Sequence, residues 1–405
     1  MSQDILNLWL HDEHVGEVER LRSGRPRLRF AAEARARWGD GARVLSYSLP
    51  LGPKRIDGPA IETYLENLLP EGALRAQLER QNGVRPGDAF GLLRHIGYEC
   101  AGAVQLTPES APPTGHLKPL PDDEVIGLVE DLPTLSAPEG EAITASLGGV
   151  QSKLLLTRTE AGWAWPAAGA PSTHIIKPEP IEPSAPIPRI VEFEHWSLEL
   201  ARAAGVPGAK STLERFGDRL AIVVERYDRA RGDRLHQEDF AQALGIRPLE
   251  KYESSYEEPG RLRRVAIGPG LESADPGLFR DALLRLVTFN LIIGNGDAHA
   301  KNYSLLLRDG LFSIAPAYDV APVFYVNPRF SDFGMSVAGQ RGLRHITLDH
   351  LMREAASWGM SEDGARTEIR NVATSVQSAL VEVEVPEFVA PVAEQVRAAA
   401  ARFAG

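Results

Sequence analysis

A single cysteine, Cys100, stands among 405 residues. No intrachain disulfide can form, and a zinc site built of several thiolates is excluded; such cysteine usage suits a reducing compartment. Long apolar runs are missing too. No stretch approaches the roughly 20 residues that cross a bilayer, and the short alternating run from Ile5 to Leu10 follows Asp4 rather than a basic region, so no secretory leader is expected. The expectation is a soluble, cytoplasmic protein with no membrane contact. Positive charge is in short supply: 44 Lys and Arg stand against 55 Asp and Glu, a formal net charge of −11. That balance disfavours nonspecific binding to nucleic acid, which depends on accumulated cations. One segment departs from it, with Arg20, Arg22, Arg25, Arg27, Arg29, Arg35, Arg37 and Arg43 crowded together. Glu17, Glu19, Glu33 and Asp40 interleave with them, the pattern of a solvated strand-and-helix surface.

What is present is concentrated at residues 295–302, NGDAHAKN, which put an acid, an imidazole, an ammonium and a carboxamide on one short loop. In a phosphotransferase catalytic loop, one Asp orients the attacking hydroxyl and an Asn five positions later holds magnesium. Asp297 and Asn302 have that spacing. A second metal-binding carboxylate should follow across a hairpin, because magnesium takes oxygen ligands at roughly 2.0–2.1 Å and shares them with phosphates. Asp319 follows two strand-like runs, 303–307 and 311–315, separated by an Asp309-Gly310 turn signal. Each residue alone has a plainer reading: Asn-Gly-Asp is a common turn, and His299 could cap a helix. The acid, amide, hairpin, acid order is much rarer.

Around this loop the pattern shifts from strands to helices. Strand-like runs at 6–10, 15–19, 28–31 and 44–49 precede helical patterns at 61–69, 73–81 and 88–96, giving a small N-terminal α+β subdomain over 1–106. A linker and helix are expected over 107–140, since 107–122 is rich in Pro, Ser and Gly. Residues 141–230 read as a strand-rich lobe, with runs at 153–157, 173–177 and 220–227 and a helix at 191–204. Residues 231–405 read as a helical lobe, with patterns at 278–293, 348–358, 365–380 and 386–403. This is the layout of a bilobal, protein-kinase-like α+β fold, its N-lobe strand-rich and its C-lobe all-helical.

Three further segments fit a nucleotide. Residues 146–153, SLGGVQSK, place Gly148 and Gly149 between strand-like flanks, so main-chain amides could approach phosphates without a Cβ in the way. Paired glycines between strands also make plain hairpins. Lys177 ends an apolar strand, THIIK, and Glu194 on the following helix could pair with it. Residues 223–227, VVERY, could form the wall and backbone edge an adenine needs.

With LENLLPEG (65–72), GLLRHIGYECAGAVQL (91–106), SLGGVQSK, HIIKPE, VERYDR (224–229), HQEDFAQALG (236–245), NGDAHAKN and APAYD (315–319) in order, the chain resembles the HipA family along nearly its whole length. These are bacterial Ser/Thr kinases acting as toxins of type II toxin–antitoxin pairs and linked to persistence. The resemblance implies ATP and Mg2+ as cofactors, Asp297 as catalytic aspartate, and Asn302 and Asp319 as metal ligands. His299 and Lys301 join Asp297 as catalytic-loop candidates. The phosphate loop would be Gly149, Val150, Gln151, Ser152 and Lys153. Lys177 would contact nucleotide with Glu194 behind it, and Glu225 with Tyr227 would hold adenine. Ser146 takes the position of an autophosphorylated serine that silences the enzyme. A HipB-like helix-turn-helix antitoxin is the implied partner, with DNA reached mainly through it, and an aminoacyl-tRNA synthetase is the first candidate substrate. Three departures are visible: Ala298 where relatives often carry Asp, Phe193 where Asn is usual, and 254–258 in place of a Gly-Gly-Pro continuation after KYE. Two alternatives stand beside this reading: a pseudokinase serving as antitoxin-binding corepressor, and a small-molecule kinase of the aminoglycoside-phosphotransferase type.

Overall fold

Apolar residues spaced through short β-forming runs build the first sheet. In the computed structural model, which describes residues 4–149, 151–181, 186–230, 232–254 and 257–405, strands β1 (Ile5–Leu10), β2 (Glu13–Arg20) and β3 (Pro26–Phe30) bury Leu6, Leu8, Val15, Val18, Leu28 and Phe30. With β4 (Ile56–Asp57) and β5 (Val104–Thr107) they form an antiparallel sheet of order β4-β3-β2-β1-β5. The arginine-rich segment lies on the outside as ion pairs, among them Arg27–Asp57 at 2.6 Å, Arg29–Glu17 at 2.7 Å and Arg35–Asp40 at 2.7 Å. Exposed pairs of this kind add little to stability, because solvent screens the charges and holding long side chains together costs entropy.

The run at 44–49, expected as a strand, is instead a turn with one bridge between Ser46 and Leu49. Its polar groups are satisfied by side chains rather than by a ladder. Ser46 Oγ donates to Glu238 Oε2 at 2.5 Å, the Tyr47 amide donates to Glu238 Oε1 at 2.8 Å, and His236 Nε2 lies 2.8 Å from the Leu45 carbonyl. Helices Pro59–Asn67, Gly72–Gln81 and Ala89–Ile96 then bury Leu65, Leu78, Leu92, Leu93 and Ile96. The Asp88 side chain caps the third by accepting from the Gly91 amide at 2.8 Å.

The core continues into a second sheet through Leu154, Leu156, Trp163, Trp165 and Ile176. This sheet contains β6 (His116–Pro119), β7 (Leu154–Thr159), β8 (Gly162–Ala167), β9 (His174–Pro178), β10 (Ser211–Phe216) and β11 (Arg219–Glu225), in the order β10-β11-β9-β7-β8-β6. Strand β6 corrects the expected linker at 107–122. It pairs antiparallel with β8, and being an edge strand it tolerates Pro119, whose missing N–H costs no ladder bond on the open side. The expected helix of that region is Asp122–Glu130.

Two compact units divide the chain: Met1–Pro178 with Glu214–Pro248 and Leu306–Gly310, and Glu179–Leu213 with Leu249–Leu305 and Leu311–Gly405. The second is mainly rather than wholly helical. Its long helix Pro276–Ile293 starts at Asp275, whose side chain accepts from the amides of Gly277 and Leu278, and stops at Gly294 in the left-handed conformation at φ 73°. Helix Glu362–Glu382 packs on it and on Ala390–Ala404. The all-helical expectation for residues 231–405 is corrected by strand pairs. Ser304–Arg308 and Leu311–Ile314 flank Asp309 and Gly310 at φ 53° and 77°, and Asp332–Val337 pairs with Gln340–Gly342. No helix among the described residues is long and apolar enough to cross a membrane.

Burial pushes the Glu238 carboxyl from its ordinary 4.5 up to about 8. The folded protein therefore keeps a proton there that the unfolded chain has released. The stability this gives is full below about 4.5 and is lost as pH rises through 8. We expect Glu238→Gln to flatten the decline in urea midpoint between pH 5 and pH 8.5; an equal decline in both proteins would rule this out.

Candidate active site

The end of helix Pro276–Ile293 fixes where the 295–302 loop begins. Gly294 turns the chain against the Tyr325 ring, which a Cβ at Gly294 would meet at 2.6 Å, and Asn295 returns to the helix through its amide and side chain, at 2.9 and 2.8 Å from Asn290. From there the loop binds itself. The His299 amide donates to the Asp297 carbonyl at 2.8 Å and the Asn302 amide to the His299 carbonyl at 2.9 Å. Asn302 Nδ2 donates back to the same Asp297 carbonyl at 2.8 Å. With the nitrogen of its carboxamide so engaged, Asn302 has its amide oxygen as the group suited to a cation.

Neighbouring segments hold the loop from both sides. Ala300 donates to the Lys251 carbonyl at 3.1 Å, and Gly334 comes so near that a Cβ there would lie 2.5 Å from the backbone of Ala298 and His299. Tyr318 Oη donates to the Lys301 carbonyl at 2.9 Å and lies 2.7 Å from Ser304 Oγ, which brings Asp319, itself at φ 56°, beside the loop. The structure thus gathers Asp297, His299, Lys301, Asn302 and Asp319 in one unit. No group of three His, Cys, Asp or Glu positioned to hold a metal occurs among the described residues. The donor set here is a carboxylate and a carboxamide, oxygens of the kind magnesium accepts when phosphates and water complete its shell.

His299 is buried, with Nδ1 lacking any hydrogen-bond partner. Burial first, and then the charge of Lys251, push its pKa from 6.5 down to about 3. It is a neutral ring at physiological pH, packed edge-on against Tyr252 with centroids 4.9 Å apart. The Tyr252 hydroxyl donates to Asp297 Oδ1.

In the other unit the glycine loop is pinned by the N-terminal subdomain. Ser146 is 1% exposed; its amide donates to the Glu99 carbonyl at 2.7 Å and its hydroxyl to the Leu68 carbonyl at 2.5 Å. The Glu71 amide donates to the Gly149 carbonyl at 3.1 Å, and Lys153 Nζ to the Gly148 carbonyl at 2.6 Å. Gln151 Nε2 is buried without a partner, Ser152 is half-buried, and Val150 lies outside the described residues. Lys177 is buried on β9 opposite Ile222 of β11. Glu194 is buried on helix Ile190–Ala203 of the second unit. Glu225 ends β11 exposed, and Tyr227 donates its hydroxyl to Gln237 Oε1.

Between Glu225 and Tyr227 sits Arg226, fully buried, bonded to Asp228 through Nε at 2.9 Å and Nη2 at 2.7 Å and to Glu99 at 3.1 Å. Arg229, at 2.8 Å, and Arg234 reach the same Glu99. Burial pushes the Glu99 carboxyl up, but Arg229, Arg226 and Arg234 outweigh it and hold it below its usual range. Sequence reasoning missed Glu99, Tyr252 and Tyr318. The available signal was their place inside motifs quoted for other reasons: GYEC, KYE and APAYD.

Residues 6–107 match the HipA N-terminal domain and residues 145–380 the HipA-like C-terminal domain. The chain belongs to the HipA family. Y4mE of Sinorhizobium fredii, a protein named as a kinase, is 32% identical, over 95% of this chain and 92% of its own. The serine/threonine-protein kinase toxin HipA of Shewanella oneidensis is 28% identical over 87% and 84%. A solved complex of the Shewanella oneidensis MR-1 HipA, HipB and operator DNA superimposes with a TM-score of 0.82 at 26% identity, covering 98% of this chain and 97% of that one. The fold is therefore the kinase-like α+β fold of HipA, preceded by its N-terminal α+β subdomain. In this HipA-family chain the Glu99 cluster joins the two matched regions, since Glu99 lies in the first and its arginines in the second. Glu99→Ala leaves three guanidinium groups without their shared carboxylate. A loss of about 3–5 kcal/mol is expected in urea unfolding, and a loss below about 1 kcal/mol would show that the cluster does not bind the regions together.

Proposed function

We propose that this HipA-family chain is a protein serine/threonine kinase that transfers the γ-phosphoryl group of ATP to a protein hydroxyl. The observation that carries the reading is the closure of Asn302 onto Asp297 with Asp319 beside the loop, which supports one acid for the acceptor and two oxygen donors for magnesium. When bound, magnesium supplies neutralisation of charge on the phosphates. Asp297 orients the acceptor hydroxyl and takes its proton, while Lys301, Lys177 and the amides of Gly149, Val150, Gln151, Ser152 and Lys153 offset phosphate charge. Glu225 and Tyr227 contact adenine in this reading. Neutral His299 braces the loop rather than storing a proton.

The biological role we infer is that of a cytoplasmic growth-arresting toxin. The solved Shewanella complex contains HipB and operator DNA, which supports a HipB-like antitoxin as partner. With a net charge of −11 the chain depends on that partner for DNA contact. An aminoacyl-tRNA synthetase remains the first candidate substrate. Ser146 is the site of autoregulation: a phosphate of roughly −1.5 to −2 charge does not fit where the hydroxyl is buried against the Leu68 carbonyl, so phosphorylation expels the loop.

Asp297→Asn should lower phosphoryl transfer by about 10²–10⁴-fold while magnesium-dependent ATP binding persists; unchanged transfer would refute the assignment. After incubation with ATP, intact mass should show one added phosphate that Ser146→Ala abolishes. Absence of that gain in an active preparation removes the autoregulation.

A further inference from the structure

The segment at 251–253 is fastened at both ends to the catalytic loop and the strand behind it. The Lys251 carbonyl accepts from the Ala300 amide at 3.1 Å and from Arg261 Nη1 at 2.7 Å. The Glu253 amide donates to the Gly334 carbonyl at 2.9 Å, and its carboxylate accepts from the Ser336 amide at 2.9 Å. Between these anchors Tyr252 is presented to the loop, its ring against His299 and its hydroxyl donating to Asp297 Oδ1. Tyr252 is nevertheless 43% exposed, so the ring can leave without opening the core.

A hydroxyl donating to the catalytic aspartate is the arrangement a phosphoryl acceptor must adopt. We propose that the Tyr252 hydroxyl is a stand-in for the acceptor, occupying Asp297 until a serine or threonine of the protein substrate displaces it. This rests on the kinase reading above. The fixed backbone on either side returns Tyr252 to the aspartate after each turnover. An incoming serine or threonine competes with the tyrosine for one carboxylate oxygen, and water is held off in the same way, which protects ATP from hydrolysis when no substrate is bound.

The probe is water itself. When it attacks the γ-phosphorus, the bond to the β-bridging oxygen breaks, ADP and phosphate leave, and the water proton passes to Asp297. Tyr252→Phe keeps the ring on His299 and removes only the hydroxyl. ADP release without protein acceptor should rise roughly three- to ten-fold, a range scaled to one partly exposed hydrogen bond to a charged group, with magnesium-ATP affinity unchanged. Tyr252→Phe combined with Asp297→Asn should show no rise. A fall in ADP release would make Tyr252 a positioning residue for Asp297, and no change would show that it does not exclude water; either overturns the proposal. Phosphate found on Tyr252 by peptide mapping would make it an acceptor instead, also overturning it. Failure of the unaltered protein to bind magnesium-ATP removes the kinase reading, and this inference with it.

Discussion

Once the Asn302 carboxamide donates to the Asp297 main-chain carbonyl, its amide oxygen cannot be placed independently of the backbone that carries the acid. The tether fixes the amide oxygen relative to the backbone of the acid, at the end of a helix whose stop at Gly294 sets where that backbone starts. Such pre-positioning matters because phosphoryl transfer leaves little covalent work to the protein; rate comes from placing groups and charges. Asp319 is bound to the same frame through Tyr318. A loop that had to organise itself on binding nucleotide would lose part of that advantage to conformational entropy.

The Glu99 cluster works on a different principle. A buried set of charges is weak evidence for stability, since well-packed apolar groups could do as well, but it is exacting about partners. Glu99 accepts from three arginines that all lie within nine residues of one another, 226 to 234, so one buried carboxylate ties the two matched regions together. Arg226 is also flanked by the candidate adenine contacts, so the geometry of that edge is set by a carboxylate more than a hundred residues earlier.

Much of the fold was legible in the chain. Local signals sufficed for β1, β2 and β3, for the helices from Pro59 to Ile96 and for the Asp309-Gly310 turn, because periodicity and turn chemistry act over a few residues. They failed where pairing is distant. The 44–49 run has strand-like residues, yet Glu238 satisfies its polar groups, and β6 hides among prolines because an edge strand tolerates them. Among candidate site residues, the Asp297, Asn302 and Asp319 set stands out by spacing, and the three positions fall in one unit of the structure. Tyr252 and Glu99 do not stand out, since nothing in KYE or GYEC tells which charge or hydroxyl each will meet.

The burial of Ser146 has a kinetic consequence. While the glycine loop is docked, the serine oxygen is held by a main-chain carbonyl and no active site, its own or another's, can approach it. The phosphorylation proposed for Ser146 must wait for the loop to open spontaneously. Under the proposed autoregulation, the working lifetime of each molecule is then a timer whose period is set by the docking equilibrium and shortened by any change that loosens the contact between Leu68 and the loop.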